Sequence, residues 1–580
     1  MVAPTFAHRF VLVALAIVAC SAPAFAAPRY NVLLVSIDSL RRDAVGCYGA
    51  HATYGHAAPS PVLDRLAASG VRFDDAYASS PWTLPSHVSL MTGRSPVAHQ
   101  VETDLNTMRP DETTLAEILH DKGYRTAGVF SGPYLEPQWG FGRGFERYRA
   151  VYGADVAAAS HEIESIDRDI ARAEHAGEHA AAEELRWSRR KAYEHVRELS
   201  HQDVSSDRVT AAALDDLEHL TGADAPWLLF VHYFDVHYDY VPPPPFEARF
   251  DPDYAGSMTG RGFLTNGAIA EPKPGELDAF IRHVSDRDLA HLRALYAGEV
   301  AWVDQHVGRL LDRLDATKAG RTTLVIVLSD HGDEFFEHGG IGHRRNLNEE
   351  VLRIPLIARL PGLLPAGRTV RGVVSLGDVA PTVLDVLGVP PLARMTGRSV
   401  MPLVRGEEDG HARTVLSRLV RAYDGVADFA GEGKVPVRLA SVQEAFRFGE
   451  IKIFRRRQWP LFPAHLPEDE RRDLQAQADR AFRKEEIAWI DETKFPSEAG
   501  SGFSRDFAEP RAHTALAMYR RRYRELRAAI SPVAGAAPSA AVRDQLEGLG
   551  YVEATESAPV SPHDGFVLPL PGDAAAGAPH

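Results

Sequence analysis

Apolar residues fall into two recurring patterns along the chain. Four short runs are apolar almost without a break: residues 31–38 (NVLLVSID), 227–235 (WLLFVHYFD), 324–330 (LVIVLSD) and 354–360 (IPLIARL). Runs this short, without polar alternation, predict strands buried on both faces, as in a parallel sheet. Three of them end in an acid: Asp38, Asp235 and Asp330. The second pattern has helical spacing. Beyond Ser285, the residues Leu289, Leu292, Leu295, Tyr296, Val300, Val303, Val307, Leu310 and Leu314 recur on one helical face, and Ser285-x-x-Asp288 supplies a cap. Strands alternating with such helices predict an α/β fold with a mostly parallel central sheet covered by helices. Ligands of such sheets gather at the carboxyl ends of the strands, which is where the three acids lie.

Two regions depart from this rhythm. Residues 155–205 carry Ile163, Ile166, Ile170, Leu185, Val196 and Leu199 in Ala-rich charged sequence broken at Gly177, which predicts an inserted helical hairpin with one buried stripe. From residue 411 the pattern changes to alternation. Residues 446–454 alternate around Gly449 and predict an antiparallel hairpin, with 487–490 as a third strand and 511–530 as a basic helix with a solvated face. A smaller C-terminal antiparallel sheet with helices is therefore expected over 411–552. Residues 553–580, rich in Pro, Ala, Gly and Ser, are expected to be disordered.

Composition narrows the class. The chain has 580 residues, 45% of them hydrophobic and 25% charged, which excludes collagen-like and wholly disordered proteins. Its 64 Lys and Arg against 79 Asp and Glu leave a net charge of −15. A nucleic-acid partner, which needs a basic face, is not expected. At the N-terminus, His8 and Arg9 precede the apolar run 10–19 and the sequence Ala24-Phe25-Ala26, the pattern of a secretory signal over residues 1–26. The same stretch holds Ile17-Val18-Ala19-Cys20, which resembles a lipoprotein signal over 1–19, so both cleavages are open. Either way the protein is expected to be exported, with a membrane met only through a lipid on Cys20. No internal disulfide follows, because the two cysteines are Cys20 and Cys47.

The candidate chemistry is concentrated in four places. Asp38 closes the first strand. Residues 83–94 (TLPSHVSLMTGR) read as a helix with Pro85 near its start and Gly93 at its end, setting the Thr83 hydroxyl beside unpaired amides and a positive dipole end. Asp330 and His331 leave a buried strand, with His338 and His343 close behind, a density of carboxylate and imidazole that points to a metal. Asp235 and His237 leave another, on one side if strand alternation continues. Three of the four have an ordinary alternative taken alone: a loop acid, a Thr N-cap, a core histidine such as His232; the Asp330-His331 cluster is hard to explain by packing and favours a metal.

In this order, these elements resemble the sulfatase family of the alkaline phosphatase superfamily. Residues 37–41 match the family's early Asp strand, 83–94 its Cys/Ser-x-Pro-Ser-Arg…Thr-Gly-Arg signature, 330–332 its late Asp-His-Gly segment, and 546–552 its closing segment. The resemblance covers residues 29–403 well and 411–552 loosely. It implies an alkaline phosphatase-like catalytic domain over 28–405. It also implies a divalent metal held by Asp38, Thr83, Asp330 and His331, with His237 and His343 contacting the ester or protonating its leaving oxygen.

The departures from the family are informative. Thr83 stands where sulfatases carry the Cys or Ser that becomes formylglycine, and oxidising threonine gives a ketone rather than an aldehyde, so formylglycine is not expected. His87 replaces the recognition arginine, and His331 replaces the usual Asn, which moves metal preference from Ca²⁺ towards Zn²⁺ or Mn²⁺. A second metal on Asp235, His237 and His343, with His87 as a further candidate contact, is open, although position 239 is Asp where two-metal relatives place His. The expected activity is metal-dependent hydrolysis of sulfuric or phosphoric esters by a threonine nucleophile, favouring phosphate mono- or diesters. Its substrate is expected to be a small-molecule, glycan or lipid ester. Rival readings are a head-group transferase of the phosphoethanolamine or glycerophosphate type and a non-catalytic binding module. The pattern says nothing of oligomeric state.

Overall fold

The apolar runs become the middle of one sheet because their alternate side chains meet helices on opposite faces. The computed structural model describes residues 30–50, 59–104, 106–261, 284–428, 434–461, 486–491 and 503–530. Its main sheet has eight strands: β1 (Asn31–Ile37), β2 (Val71–Phe73), β3 (Arg125–Phe130), β4 (Arg147–Ala150), β5 (Trp227–Tyr233), β6 (Thr323–Ser329), β7 (Leu356–Arg359) and β8 (Arg368–Val370). Their spatial order is β8-β2-β7-β6-β1-β5-β3-β4. Only β7 runs against the rest, pairing antiparallel with both β6 and β2. The acid-terminated strands β6, β1 and β5 lie side by side at the centre.

Helices cover both faces, as the two-sided burial requires. On one face Val32, Leu34, Phe230 and Ile326 pack with Leu84, Val88 and Met91 of helix α1 (Thr83–Thr92). On the other, Leu33, Val35, Val231 and Val327 meet Val209, Ala213 and Leu217 of α4 (Ser206–Thr221) and Leu292, Tyr296, Val300 and Val307 of α5 (Asp286–Asp315). The expected cap holds: Ser285 accepts from the Asp288 amide in a capping box. Full burial of each large aliphatic chain contributes roughly 1.5–3 kcal/mol, so this double layer dominates the stability of the site's scaffold.

The insertion is a helical hairpin, α2 (Ala154–Ala176) and α3 (His179–Ser200), with Gly177 closing α2 at φ 74 where glycine is favoured. Its apolar stripe is thin. Val156, Ala159 and Val196 are buried, while Ile163 and Leu199 pack against them half-buried. Salt bridges such as Arg189–Asp167 and Arg186–Glu174 link the two helices across their exposed sides.

The C-terminal region forms a four-stranded antiparallel sheet, β9 (Thr414–Asp428), β10 (Lys434–Phe448), β11 (Ile451–Leu461) and β12 (Glu486–Asp491). The expected turn holds, with Phe448 opposite Ile451 and Gly449 at φ 56. Helix α6 (Pro510–Ala528) buries Ala512, Ala515, Tyr519, Tyr523 and Leu526 against this sheet and exposes Arg511, Arg520, Arg521 and Arg524, while the half-buried Arg522 donates to Thr396 O at 2.7 Å. The strand β9 was not anticipated. It matters because it braces the chain just ahead of α1: Ser417 Oγ donates to Ala78 O at 2.6 Å and the Arg418 amide donates to Ser79 O at 3.0 Å. Lys452 Nζ donates to Leu347 O at 2.7 Å, steadying the loop that follows His343. The N-terminal signal, the closing segment 546–552 and the tail 553–580 lie outside the described residues.

Candidate active site

Parallel register assembles the site. Ile37 stands opposite Tyr233 of β5 and opposite Ser329 of β6. The next residues of β1 and β6, Asp38 and Asp330, therefore emerge as neighbours, both fully buried. Ser39 turns the chain in a left-handed conformation at φ 53, and its amide donates to Asp330 Oδ1 at 3.2 Å. The Ser329 hydroxyl, accepting from the Leu40 amide at 3.0 Å, ties the two strand exits together again.

Alternation fixes a second layer behind the acids. Ser36 and His232 are paired in register and share the face covered by α1. His87, one helical turn after Thr83, approaches Thr83 O through Nδ1 at 3.0 Å and Ser36 Oγ through Nε2 at 2.9 Å. A carbonyl only accepts, so Nδ1 carries the proton and Ser36 donates to Nε2. Burial pushes His87 down to about 3 and His232 down to about 4, so both rings are neutral. His232 Nε2 lies 3.4 Å from Asp38 Oδ2 and His87 Nδ1 lies 3.5 Å from Asp330 Oδ2. His87 is thus a buried support behind the acids.

Thr83 is the first residue of α1, with Trp82 as its cap residue. Its hydroxyl does not cap the helix. It donates to Asp38 Oδ2 at 3.3 Å and lies 3.4 Å from His331 Nε2. The same Nε2 is 3.5 Å from Asp38 Oδ1 and 3.4 Å from Asp330 Oδ2. His331 Nδ1 donates to Gly332 O at 3.1 Å, which leaves a bare lone pair on Nε2. Asp330 Oδ2 has no hydrogen-bond donor among the described residues. Lone pairs from two carboxylates and an imidazole therefore converge on one buried point. That arrangement is repulsive unless positive charge lies between them, so the donor set fits a divalent cation. Asp38, Asp330 and His331 form one of two buried groups with metal-binding spacing among the described residues.

Burial pushes Asp38 up to about 6; burial, then repulsion from Asp38, pushes Asp330 up to about 7. The ordinary value is 3.8 for both. Between the ordinary and raised values the metal-free folded chain holds more protons than the unfolded chain, so its stability falls as pH rises through that window. A bound cation reverses this, because it needs the same carboxylates ionised. The rise in Tm on adding Zn²⁺ or Mn²⁺ is accordingly larger near about pH 8 than near about pH 5. Calorimetry at both pH values checks this, and an increment independent of pH would exclude these carboxylates as the ligands.

The second group is His331, Asp333 and His343, also buried. His343 Nδ1 donates to Asp333 Oδ1 at 2.7 Å, and Asp333 Oδ2 accepts from Tyr240 at 2.9 Å. The His343 ring lies 4.3 Å from that of His331 and 4.8 Å from that of His237, measured between centroids. His237 and His343 are therefore brought together beside the first group. Burial, with repulsion from neighbouring imidazoles, holds both well below the usual histidine range.

Asp235 is not brought to this group. Strand β5 stops at Tyr233, so the alternation expected to pair Asp235 with His237 does not continue. Asp235 instead receives the Ser205 amide at 2.7 Å and the Ser206 amide at 2.6 Å, holding the start of α4. Among the described residues, the second group with metal-binding spacing is His331, Asp333 and His343, and Asp235 and His237 are not in it. Sequence reasoning also missed Ser36, Tyr240 and His201. The Asp333-to-His343 interval was visible as a dense run, whereas His201 gave no local signal.

The family model described as Sulfatase matches residues 30–389. The N-acetylglucosamine-6-O-sulfatase of Bacteroides thetaiotaomicron is 22% identical over 536 residues, covering 82% of this chain and 88% of that protein. The multifunctional alkaline phosphatase superfamily protein PehA of Trinickia caryophylli is 25% identical, covering 67% and 79%. The crystal structure of the phosphonate monoester hydrolase of Agrobacterium radiobacter superposes with a TM-score of 0.57 at 20% identity, covering 86% of this chain and 96% of that one, a likeness of fold.

Proposed function

Since the chain belongs to the sulfatase family and is an ester hydrolase of the alkaline phosphatase superfamily, we propose that it cleaves phosphate mono- or diesters in preference to sulfate esters, with Thr83 as the covalent nucleophile. The observation that carries this reading is the Thr83 hydroxyl, donating to Asp38 and facing the bare Nε2 of His331 at the start of a helix. A threonine at this position supports direct ester chemistry, because its oxidation cannot yield the aldehyde of formylglycine. Relatives whose names specify a phosphonate monoester hydrolase and a multifunctional superfamily protein support phosphorus esters as substrates on this scaffold.

Asp38, Asp330, His331 and the Thr83 hydroxyl would hold a divalent cation, with zinc or manganese favoured over calcium because an imidazole replaces an oxygen ligand. The chemistry such a group supplies when bound is Lewis acidity, which lowers the hydroxyl's pKa and neutralises charge on the ester. In the first step Thr83 Oγ1 bonds to phosphorus or sulfur as the bond to the alcohol oxygen breaks. Its proton has an acceptor already in place at Asp38 Oδ2. The amide dipoles at the start of α1 face the developing negative charge. His237 and His343, neutral in the free protein, gain basicity when an anionic ester lies against them, so protonation arrives with substrate and passes to the leaving oxygen. Water then hydrolyses the threonine ester, restoring the hydroxyl.

The pattern at residues 1–26 supports an exported protein, free or lipid-anchored at Cys20. No helix among the described residues is long and apolar enough to cross a membrane. The test of the chemistry is turnover of an aryl phosphate, a bis-aryl phosphate, an aryl phosphonate and an aryl sulfate by zinc- or manganese-loaded enzyme. The expected order places the phosphorus esters above the sulfate in kcat/KM. A sulfate ester preferred by more than about tenfold would overturn the preference.

A further inference from the structure

The exit of the helical insertion grips the loop that carries His237. At one end of that loop Asp235 takes the amides of Ser205 and Ser206. At the other, the Asp239 amide donates to His201 O at 3.2 Å, and Gln202 Nε2 reaches Asp239 Oδ2 at 3.5 Å. Between these ties the backbone passes through Val236 at φ 93, a left-handed conformation that a β-branched residue resists. The loop therefore depends on the insertion's exit for its shape.

His201 occupies the middle of this grip. It follows the last residue of α3 and is buried. Its Nδ1 lies 2.6 Å from Tyr238 O, and His237 Nδ1 lies 2.6 Å from the same oxygen, with 3.1 Å between the two nitrogens. A carbonyl oxygen offers two lone pairs and no proton, so both rings donate from Nδ1. The His201 ring stacks on Tyr238 at 5.2 Å and 12°, and Phe234 stacks on His237 at 4.5 Å and 20°. The His237 ring has little freedom left.

We infer that His201 is a positioning residue for His237: its Nδ1–H and ring hold Tyr238 O in the place from which that carbonyl sets the Nδ1–H tautomer and orientation of His237, leaving Nε2 to meet the ester's leaving oxygen. The exit of the insertion is then part of the active site. The geometry stands by itself, whereas its kinetic consequence rests on the hydrolase reading proposed above.

The test compares His201→Ala and His201→Asn with the metal-loaded wild type on a 4-nitrophenyl ester and an alkyl ester of the same acid. His201→Ala is expected to lower kcat on the alkyl ester about 10- to 100-fold, with KM and the 4-nitrophenyl ester little changed. In a His237→Ala background it adds no further loss. His201→Asn, whose amide can replace the Nδ1 donor, restores most of the rate. Equal losses on both esters, or losses that add to those of His237→Ala, would overturn the proposal. Spectra of ring-¹⁵N-labelled histidine read the same claim without turnover. His237 is expected as the Nδ1–H tautomer in the wild type and as a mixture in His201→Ala. An Nε2–H tautomer, or an unaltered His237 in the variant, refutes the positioning role. A wild type that turns over neither ester refutes only the hydrolase reading.

Discussion

Thr83→Ala lowers kcat on the preferred ester on the order of 10⁴-fold, while Tm shifts by no more than the equivalent of about 1 kcal/mol. The large kinetic loss follows from removing the atom that forms the covalent bond. The small stability change follows from where Thr83 sits. It is the first residue of α1, and its hydroxyl meets only Asp38 and His331 rather than capping an amide. Alanine is the better helix former at such a position. Asp38 also keeps the Ser39 hydroxyl on Oδ1 at 3.1 Å when Thr83 is truncated. Thr83→Ser retains the nucleophile and is expected to stay within about tenfold of the wild type. Steady-state kinetics of the two variants beside their melting curves check both halves of the expectation.

Asp330→Asn separates binding from folding in the opposite sense. At pH 8 the metal-free variant is more stable than the metal-free wild type, by an amount on the order of a few kcal/mol, and it has lost the cation-induced rise in Tm. In the wild type, Asp330 is fully buried, with its carboxyl raised to about 7 by burial and by Asp38, so ionisation at pH 8 costs stability. Asparagine carries no charge. Its oxygen can keep the Ser39 and His331 amides that Oδ1 accepts at 3.2 and 2.9 Å. Its NH₂ replaces Oδ2 and donates towards the bare His331 Nε2, 3.4 Å away. The same exchange removes a metal ligand. Lowering the pH to about 5 protonates Asp330, so the difference between the metal-free proteins shrinks. Paired melting curves with and without zinc measure all of this; a variant that is destabilised without metal, or that keeps its zinc response, contradicts the assignment of Asp330.

What was legible in the sequence and what was not divides along a physical line. Asp38, Thr83, Asp330 and His331 are announced locally, by an apolar strand running into an acid or by a proline-containing helix start. The register of parallel strands then brings these local signals together. The expected alternation of Asp235 with His237 does not hold, because it was extrapolated beyond Tyr233, where β5 ends and the backbone turns through Val236. Ser36 and His232 are invisible without the pairing of β1 with β5 and the packing of α1, since each looks like an ordinary member of an apolar run. His201 depends on the path of a long hairpin whose own core is only a few side chains. The long strand β9 was also missed, although it pairs with its neighbour in sequence from Asp428 opposite Lys434 to Thr414 opposite Phe448, because residues 414–428 (TVLSRLVRAYDGVAD) lack strict alternation of apolar and polar positions.

The central claim is that Thr83, unmodified and held among Asp38, Asp330 and His331, makes the covalent bond to the ester's acid group. Mass spectrometry of the peptide containing Thr83, taken from resting enzyme and from enzyme acid-quenched during turnover, tests it most directly. The expected result is an unmodified threonine at rest and a phosphoryl or sulfuryl adduct on Thr83 in the quenched sample. An oxidised side chain at rest, or turnover without any adduct and unimpaired in Thr83→Ala, would contradict it.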